Sequence, residues 1–231
     1  MKLVFEVPYW RSVVRGLAQP KIAVRPYIPS SRRPPTRTLQ VPSAWKGIQN
    51  VLADIIERFQ IGTDRCLEFG VEFGFSAVAL SSYFRSVIGV DTFHGDRDTV
   101  NKLDIYRETL DRLSPYPNIE LVRSPYQDFI RGEHGSFDLI HVDIVHTFAD
   151  TFACGLWSAR HSQCTLFHDT DSFPQVKQAV VEIARVTGKK FYNFGESFGL
   201  GILVSETGGR PATRLGQSGV EENAVAPSGS S

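Results

Sequence analysis

From residue 65 onward the chain alternates short, continuous apolar runs with stretches of helical periodicity, and this alternation limits its fold more than any other feature. The runs fall at residues 65–70, 86–91, 119–122, 137–143 and 164–168. Runs apolar at consecutive positions, rather than at every second one, are what a parallel sheet covered on both faces requires. Helical patterns follow at 76–84, 100–113, 150–160 and 174–186, and a closing strand pair is read at 191–194 and 200–204. Upstream, Ile48, Val51, Leu52, Ile55, Ile56 and Phe59 recur at helical spacing, with Ser43 read as the N-cap and Gly62 as the stop. The predicted architecture is α/β: a Rossmann-like, doubly wound, mostly parallel seven-stranded sheet with an antiparallel last strand and helices on both faces. Ligands of such sheets bind at the carboxyl ends of the strands, so functional residues are sought there.

Three segments are expected. Residues 1–40 form an arm in which Pro20, Pro26, Pro29, Pro34 and Pro35 forbid a long helix. Its Arg25, Arg32, Arg33 and Arg37 read as a solvated basic face, and Tyr9, Trp10 and Tyr27 as packing aromatics. Residues 41–205 form the domain. Residues 206–231, rich in Gly, Ser, Ala and Pro, are expected to be disordered.

The formal net charge is zero, so a polyanion such as nucleic acid is not the expected partner. Cys66, Cys154 and Cys164 form no paired motif, which points to a reducing compartment and a cytoplasmic location. No stretch approaches the ~20 apolar residues that cross a bilayer, so no membrane partner is expected. A homo-oligomer is compatible with this reading.

The first run ends in Glu68-Phe69-Gly70-Val71-Glu72-Phe73-Gly74-Phe75-Ser76 and passes into a helix. Glycine at such a turn lets the backbone approach a ligand, and the new helix offers free N–H groups. The spacing is not G-x-G-x-x-G, which disfavours a dinucleotide. The second run ends at Asp91, about 20 residues beyond Gly70, where a carboxylate is placed to hold ribose hydroxyls. Thr92 follows it.

These two segments resemble the E-x-G-x-x-x-G-x-S motif and the second-strand motif of class I S-adenosylmethionine-dependent methyltransferases. The resemblance runs from about Val41 to Val204 and is closest to the branch with the macrolide sugar O-methyltransferases. It implies S-adenosylmethionine as cofactor, with Glu68, Gly70, Val71, Gly74, Ser76, Asp91, Thr92 and Asp143 around it. Ser124 and Asp128, after the third strand, would lie beside the adenine.

The fourth run closes on Asp143-Ile144-Val145-His146 and the fifth on His168-Asp169. Adjacent parallel strands would bring Asp143 and Asp169 together. Two carboxylates at a sheet edge suit a divalent cation such as Mg²⁺. The resemblance adds that Asp143-x-x-His146 matches a D-x-x-H pattern whose histidine resembles a general base, and that metal-dependent relatives carry an acidic pair where this chain has His168 and Asp169. Asp143 and His146 are therefore the catalytic candidates, and Asp143, His168 and Asp169 the metal candidates. His94 could line the substrate pocket, and His141, inside a strand, is given no role.

Methyl transfer to a hydroxyl of a small molecule, a saccharide or secondary metabolite, is the expected reaction. A nucleotide-binding oxidoreductase on a similar sheet, and a binding protein that kept the fold without the chemistry, are the alternatives.

Overall fold

The computed structural model describes residues 22–95 and 104–205. One eight-stranded sheet organises them. Its strands are β1 (Val24–Pro26), β2 (Arg65–Phe69), β3 (Ser86–Asp91), β4 (Ile119–Arg123), β5 (Phe137–Val142), β6 (Ser162–His168), β7 (Lys190–Phe194) and β8 (Leu200–Val204). Their spatial order is β1-β7-β8-β6-β5-β2-β3-β4. All neighbours are parallel except β8, which runs antiparallel to both β6 and β7.

The expected architecture is present with one strand more than the seven predicted. β1 comes from the arm and pairs with β7, Val24 opposite Phe191 and Pro26 opposite Asn193. Pro26 carries no N–H, which a strand at the sheet margin tolerates.

The helices are α1 (Leu52–Arg58), α2 (Phe75–Leu80), α3 (Tyr106–Leu113), α4 (Tyr126–Phe129), α5 (Phe148–His161) and α6 (Pro174–Thr187). α1 is entered through a 3₁₀ turn at Ile48–Val51 that follows Gly47. Ser43 is therefore not the helix cap; its hydroxyl accepts from the Trp45 N–H instead. Thr147 does cap α5, accepting from the Asp150 N–H at 3.0 Å. The early part of the predicted 100–113 helix lies outside the described residues.

Alternating strand residues feed two cores. Cys66, Leu139, Leu166 and Ile202 face Ile48, Leu52, Ile55 and Leu80 on one side. Leu67, Phe69, Ile140, Val142 and Phe167 face Cys154, Val180, Ile183 and Ala184 of α5 and α6 on the other. Both faces of the central strands are thus covered, as their continuous apolar runs require.

The described part of the arm is clamped to the domain rather than solvated. Asp54 of α1 accepts from the Tyr27 hydroxyl and from the backbone N–H groups of Ser30 and Ser31, both at 3.1 Å. Arg32 pairs with Glu196, Arg33 with Glu57, and Arg37 donates to the Ser81 carbonyl at 3.0 Å. Tyr9 and Trp10 lie outside the described residues. No helix among the described residues is long and apolar enough to cross a membrane.

Candidate active site

The turn after β2 and the end of β5 are built against each other. Gly70 has φ +88°, and a Cβ there would lie 1.7 Å from the Asp143 carbonyl oxygen. Any side chain at Gly70 would push the end of β5 away, so the glycine turn and Asp143 form one unit. Gly74 has φ +87° and abuts Leu113, its absent Cβ being 2.8 Å from Leu113 Cδ2.

Asp91 braces the same turn. Its Oδ2 accepts from the N–H groups of Val71 at 2.7 Å and Glu72 at 2.9 Å. Its Oδ1 accepts from Phe93 N–H at 2.7 Å. A carboxylate offers about four acceptor positions. Backbone groups among the described residues take three of them, so Asp91 shapes the loop. Thr92 turns its hydroxyl to the His94 carbonyl.

Strained backbone gathers at this rim. Among the described residues, non-glycine positive φ values occur at Glu72, Phe93, Asp169, Ser197 and Phe198 along the carboxyl edge, with Gln60 the exception at the end of α1. Such conformations cost on the order of 1–3 kcal/mol each and cluster at functional sites.

The other predicted cofactor residues take different places. Glu68 and Ser76 are buried, at 0% and 7% exposure, beneath the turn rather than on its surface. Glu68 Oε1 faces His141 Nδ1 at 2.9 Å, and Trp45 Nε1–H donates to His141 Nε2 at 3.1 Å. Indole is only a donor, so Nε2 must accept and Nδ1 must carry the proton given to Glu68. Burial raises the Glu68 pKa, against the pull of His141. Sequence reasoning missed this cluster, since nothing local links Trp45 to His141. Ser124 follows β4 and donates its N–H to the Asp91 carbonyl, which keeps it beside the glycine turn. Asp128 pairs with Arg131 at 2.6 Å on the exposed face of α4. His94 lies 2.6 Å from Arg123, which also pairs with Asp104 at 2.7 Å.

At the ends of β5 and β6, four predicted residues do meet. His146 Nε2 is 3.0 Å from Asp169 Oδ2 and 3.7 Å from Asp143 Oδ1. His168 Nδ1 is 3.1 Å from Asp143 Oδ2 and 3.2 Å from Asp169 Oδ2. The His146 ring stacks on Phe173 with centroids 4.1 Å apart.

His168 Nε2 faces the Ser197 carbonyl at 3.2 Å, which assigns the Nε2 proton. Its buried Nδ1 lies between the two carboxylates yet lines up with neither as a hydrogen bond. Burial alone would lower both histidine pKa values, but Asp143 and Asp169 outweigh it and push each up to about 10. Burial would likewise raise the Asp143 pKa, yet His168 and His146 hold it below the usual carboxylate range. Asp169 is lowered in the same way. One donor atom each from Asp143, His146 and Asp169 lies within 4.8 Å of the others, a spacing that fits a single ion.

No protein-family model matches the chain, and no curated protein matches it. Solved structures do. One is a candidate caffeoyl-CoA O-methyltransferase from Staphylococcus aureus, with TM-score 0.55, 10% identity, and 88% of this chain and 92% of that chain covered. Another is a candidate O-methyltransferase from Klebsiella pneumoniae, with TM-score 0.52, 14% identity, and coverage of 73% and 83%. The chain shares their fold. That likeness is one of architecture, and the chemistry rests on the residues above.

Proposed function

We propose that the chain is an S-adenosylmethionine-dependent methyltransferase acting on a hydroxyl of a small molecule, a saccharide or secondary metabolite, with a divalent cation. The observation that carries this reading is the contact of Gly70 with the Asp143 carbonyl, which joins the glycine turn to the acid–imidazole cluster. A nucleoside held by that turn places its reactive end beside Asp143, His146 and Asp169. The likeness of the turn to the class I methyltransferase motif supports the cofactor, and the likeness of Asp143-x-x-His146 to the macrolide sugar O-methyltransferase pattern supports the acceptor class.

The cluster fits a cation. Asp143 and Asp169 supply oxygen donors, and the buried Nδ1 of His168 points between them with its other nitrogen engaged by Ser197. His146 is close enough to join the set, but in this scheme it is kept for the proton. Carboxylates alone would suit Mg²⁺; imidazole donors beside them move the preference toward Mn²⁺, Fe²⁺ or Zn²⁺. When bound, such an ion lowers the pKa of a coordinated hydroxyl.

His146 is the general base of this scheme. Its pKa of about 10 reflects two carboxylates facing it, and it falls once their charge is engaged elsewhere. The imidazole is then positioned by Asp169 and by the Phe173 stack to take the acceptor's proton. The sulfonium methyl needs only an in-line approach of about 3 Å.

The test is incubation with methyl-labelled S-adenosylmethionine, Mn²⁺ or Mg²⁺, and a panel of hydroxylated acceptors. Label should appear on an acceptor and should be lost with chelator. His146→Ala should lower turnover by about 10²- to 10⁴-fold and leave cofactor affinity unchanged. Absence of transfer to every acceptor would overturn the enzymatic reading.

A further inference from the structure

A cavity of about 670 Å³ opens between the arm strand β1 and the ends of β7 and α6. That volume lies within the range of small-molecule sites. No residue assigned above to cofactor or cation lines it. It sits on the same carboxyl edge, because β7 and β1 both run parallel to β6 in direction. β7 lies two strand spacings from β6, on the order of 10 Å.

The polar lining is nearly charge-balanced and mutually paired. Arg32 binds Glu196, with one of its two bonds at 2.7 Å. Lys177 binds Asp171 at 2.6 Å, and Asn193 donates to Asp171 at 2.9 Å. Arg25 adds one further cation, 3.3 Å from the Tyr192 hydroxyl. Apolar surface comes from Val24, Pro26 and Ile28, with Tyr27 and Phe194 buried behind it. An anion could meet Arg25, but it would have to displace Glu196 or Asp171 to reach Arg32 or Lys177. A neutral molecule with many hydroxyls can both donate to Asp171 and Glu196 and accept from Arg32, Lys177 and Asn193 without breaking the pairs.

The cavity is wired to the cluster through consecutive residues. Thr170, next to Asp169, donates its hydroxyl to Asn193 Oδ1 at 2.6 Å, and Asp171 lines the cavity itself. On the far side Ser197, which follows the lining residue Glu196, holds His168.

We propose that this cavity is a subsite for a neutral, polyhydroxylated portion of the ligand, a glycosyl unit, so that the acceptor spans from the cluster to the arm. The substrate role rests on the methyltransferase reading; the binding does not. Maltose and sucrose, with glucose 6-phosphate as the charged comparison, are titrated against the full chain by saturation-transfer NMR without cofactor. Gly195 is the position for a block, because a Cβ there would meet only Asp171 Oδ2, at 3.6 Å.

A neutral disaccharide should bind, and Gly195→Phe should weaken it at least tenfold while S-adenosylhomocysteine affinity stays unchanged. Lys177→Met, away from the strand pairing, should weaken it as well and serves if the first variant does not fold. Binding of glucose 6-phosphate in preference to both disaccharides, no binding of either, or equal binding by wild type and the folded variants would overturn the assignment. Saccharide binding with no methyl transfer to any acceptor would keep the subsite and remove the enzymatic reading instead.

Discussion

Two histidine–carboxylate clusters hang on β5 and its neighbours, and they differ in what is left over. His141 and Glu68 face each other across β5 and β2, both at 0% exposure, with each ring nitrogen of His141 engaged. Two residues further on, Asp143 meets His146, His168 and Asp169 at the open edge. There two carboxylates converge on one imidazole nitrogen that makes no aligned hydrogen bond. The same residue types therefore pack inside the core in one place and, in the proposed scheme, offer ligands to a cation in the other. The imidazole, not residue identity, separates the two: both nitrogens of His141 are engaged, one nitrogen of His168 is not, and Glu68 Oε2 also makes no aligned hydrogen bond.

The largest expected effect falls on the open cluster. Asp143→Ala should weaken Mn²⁺ binding about a thousandfold, beyond the 10- to 100-fold typical of an outer partner. Calorimetric titration measures it, and retention of tight Mn²⁺ binding would erase the distinction between the clusters. His141→Ala should instead act on folding. Removing one side of a buried pair costs on the order of 3 kcal/mol, read from urea unfolding.

A third carboxylate sharpens the contrast. Asp54 is buried and saturated by Tyr27, Ser30 and Ser31, with Arg58 3.6 Å away. Asp54→Ala should cost roughly 2 kcal/mol, as hydrogen bonds to a charged group do. Although burial opposes it, the bonds from Ser30 and Tyr27 hold the Asp54 pKa below its ordinary 3.8. A depressed folded pKa gives stability that is present above the unfolded value and lost as pH falls through the folded one. The gap between wild type and Asp54→Ala should therefore be full at neutral pH and close below 3.8. The smallest effect is Trp45→Phe. Loss of the bond to His141 should cost about 1 kcal/mol with Mn²⁺ affinity unchanged; a large fall in that affinity would mean that the two clusters act as one.

The central strands were legible because continuous apolar runs have few other uses, and Asp143, His146, His168 and Asp169 were legible because they stand where those runs stop. β1 was not. Its three residues, Val-Arg-Pro, are exposed and carry no period, and only pairing with β7 makes them a strand. The arm's arginines read as solvated because their partners Glu196, Glu57 and Ser81 are distant in sequence. Glu68 and Ser76 matched a motif, but their burial depends on how α2 and β5 pack, which a motif does not record. Asp91 does stand at its strand end, while its bracing of Val71 and Glu72 belongs to three-dimensional contact alone.

Titration of S-adenosylhomocysteine into the chain, beside Asp91→Ala, tests the glycine turn most directly. The turn should bind the nucleoside at micromolar concentration, and the variant, having lost the carboxylate that braces it, should bind at least tenfold more weakly by roughly 1.4 kcal/mol or more. No heat of binding in the wild type, or equal affinity in a folded Asp91→Ala, would contradict it.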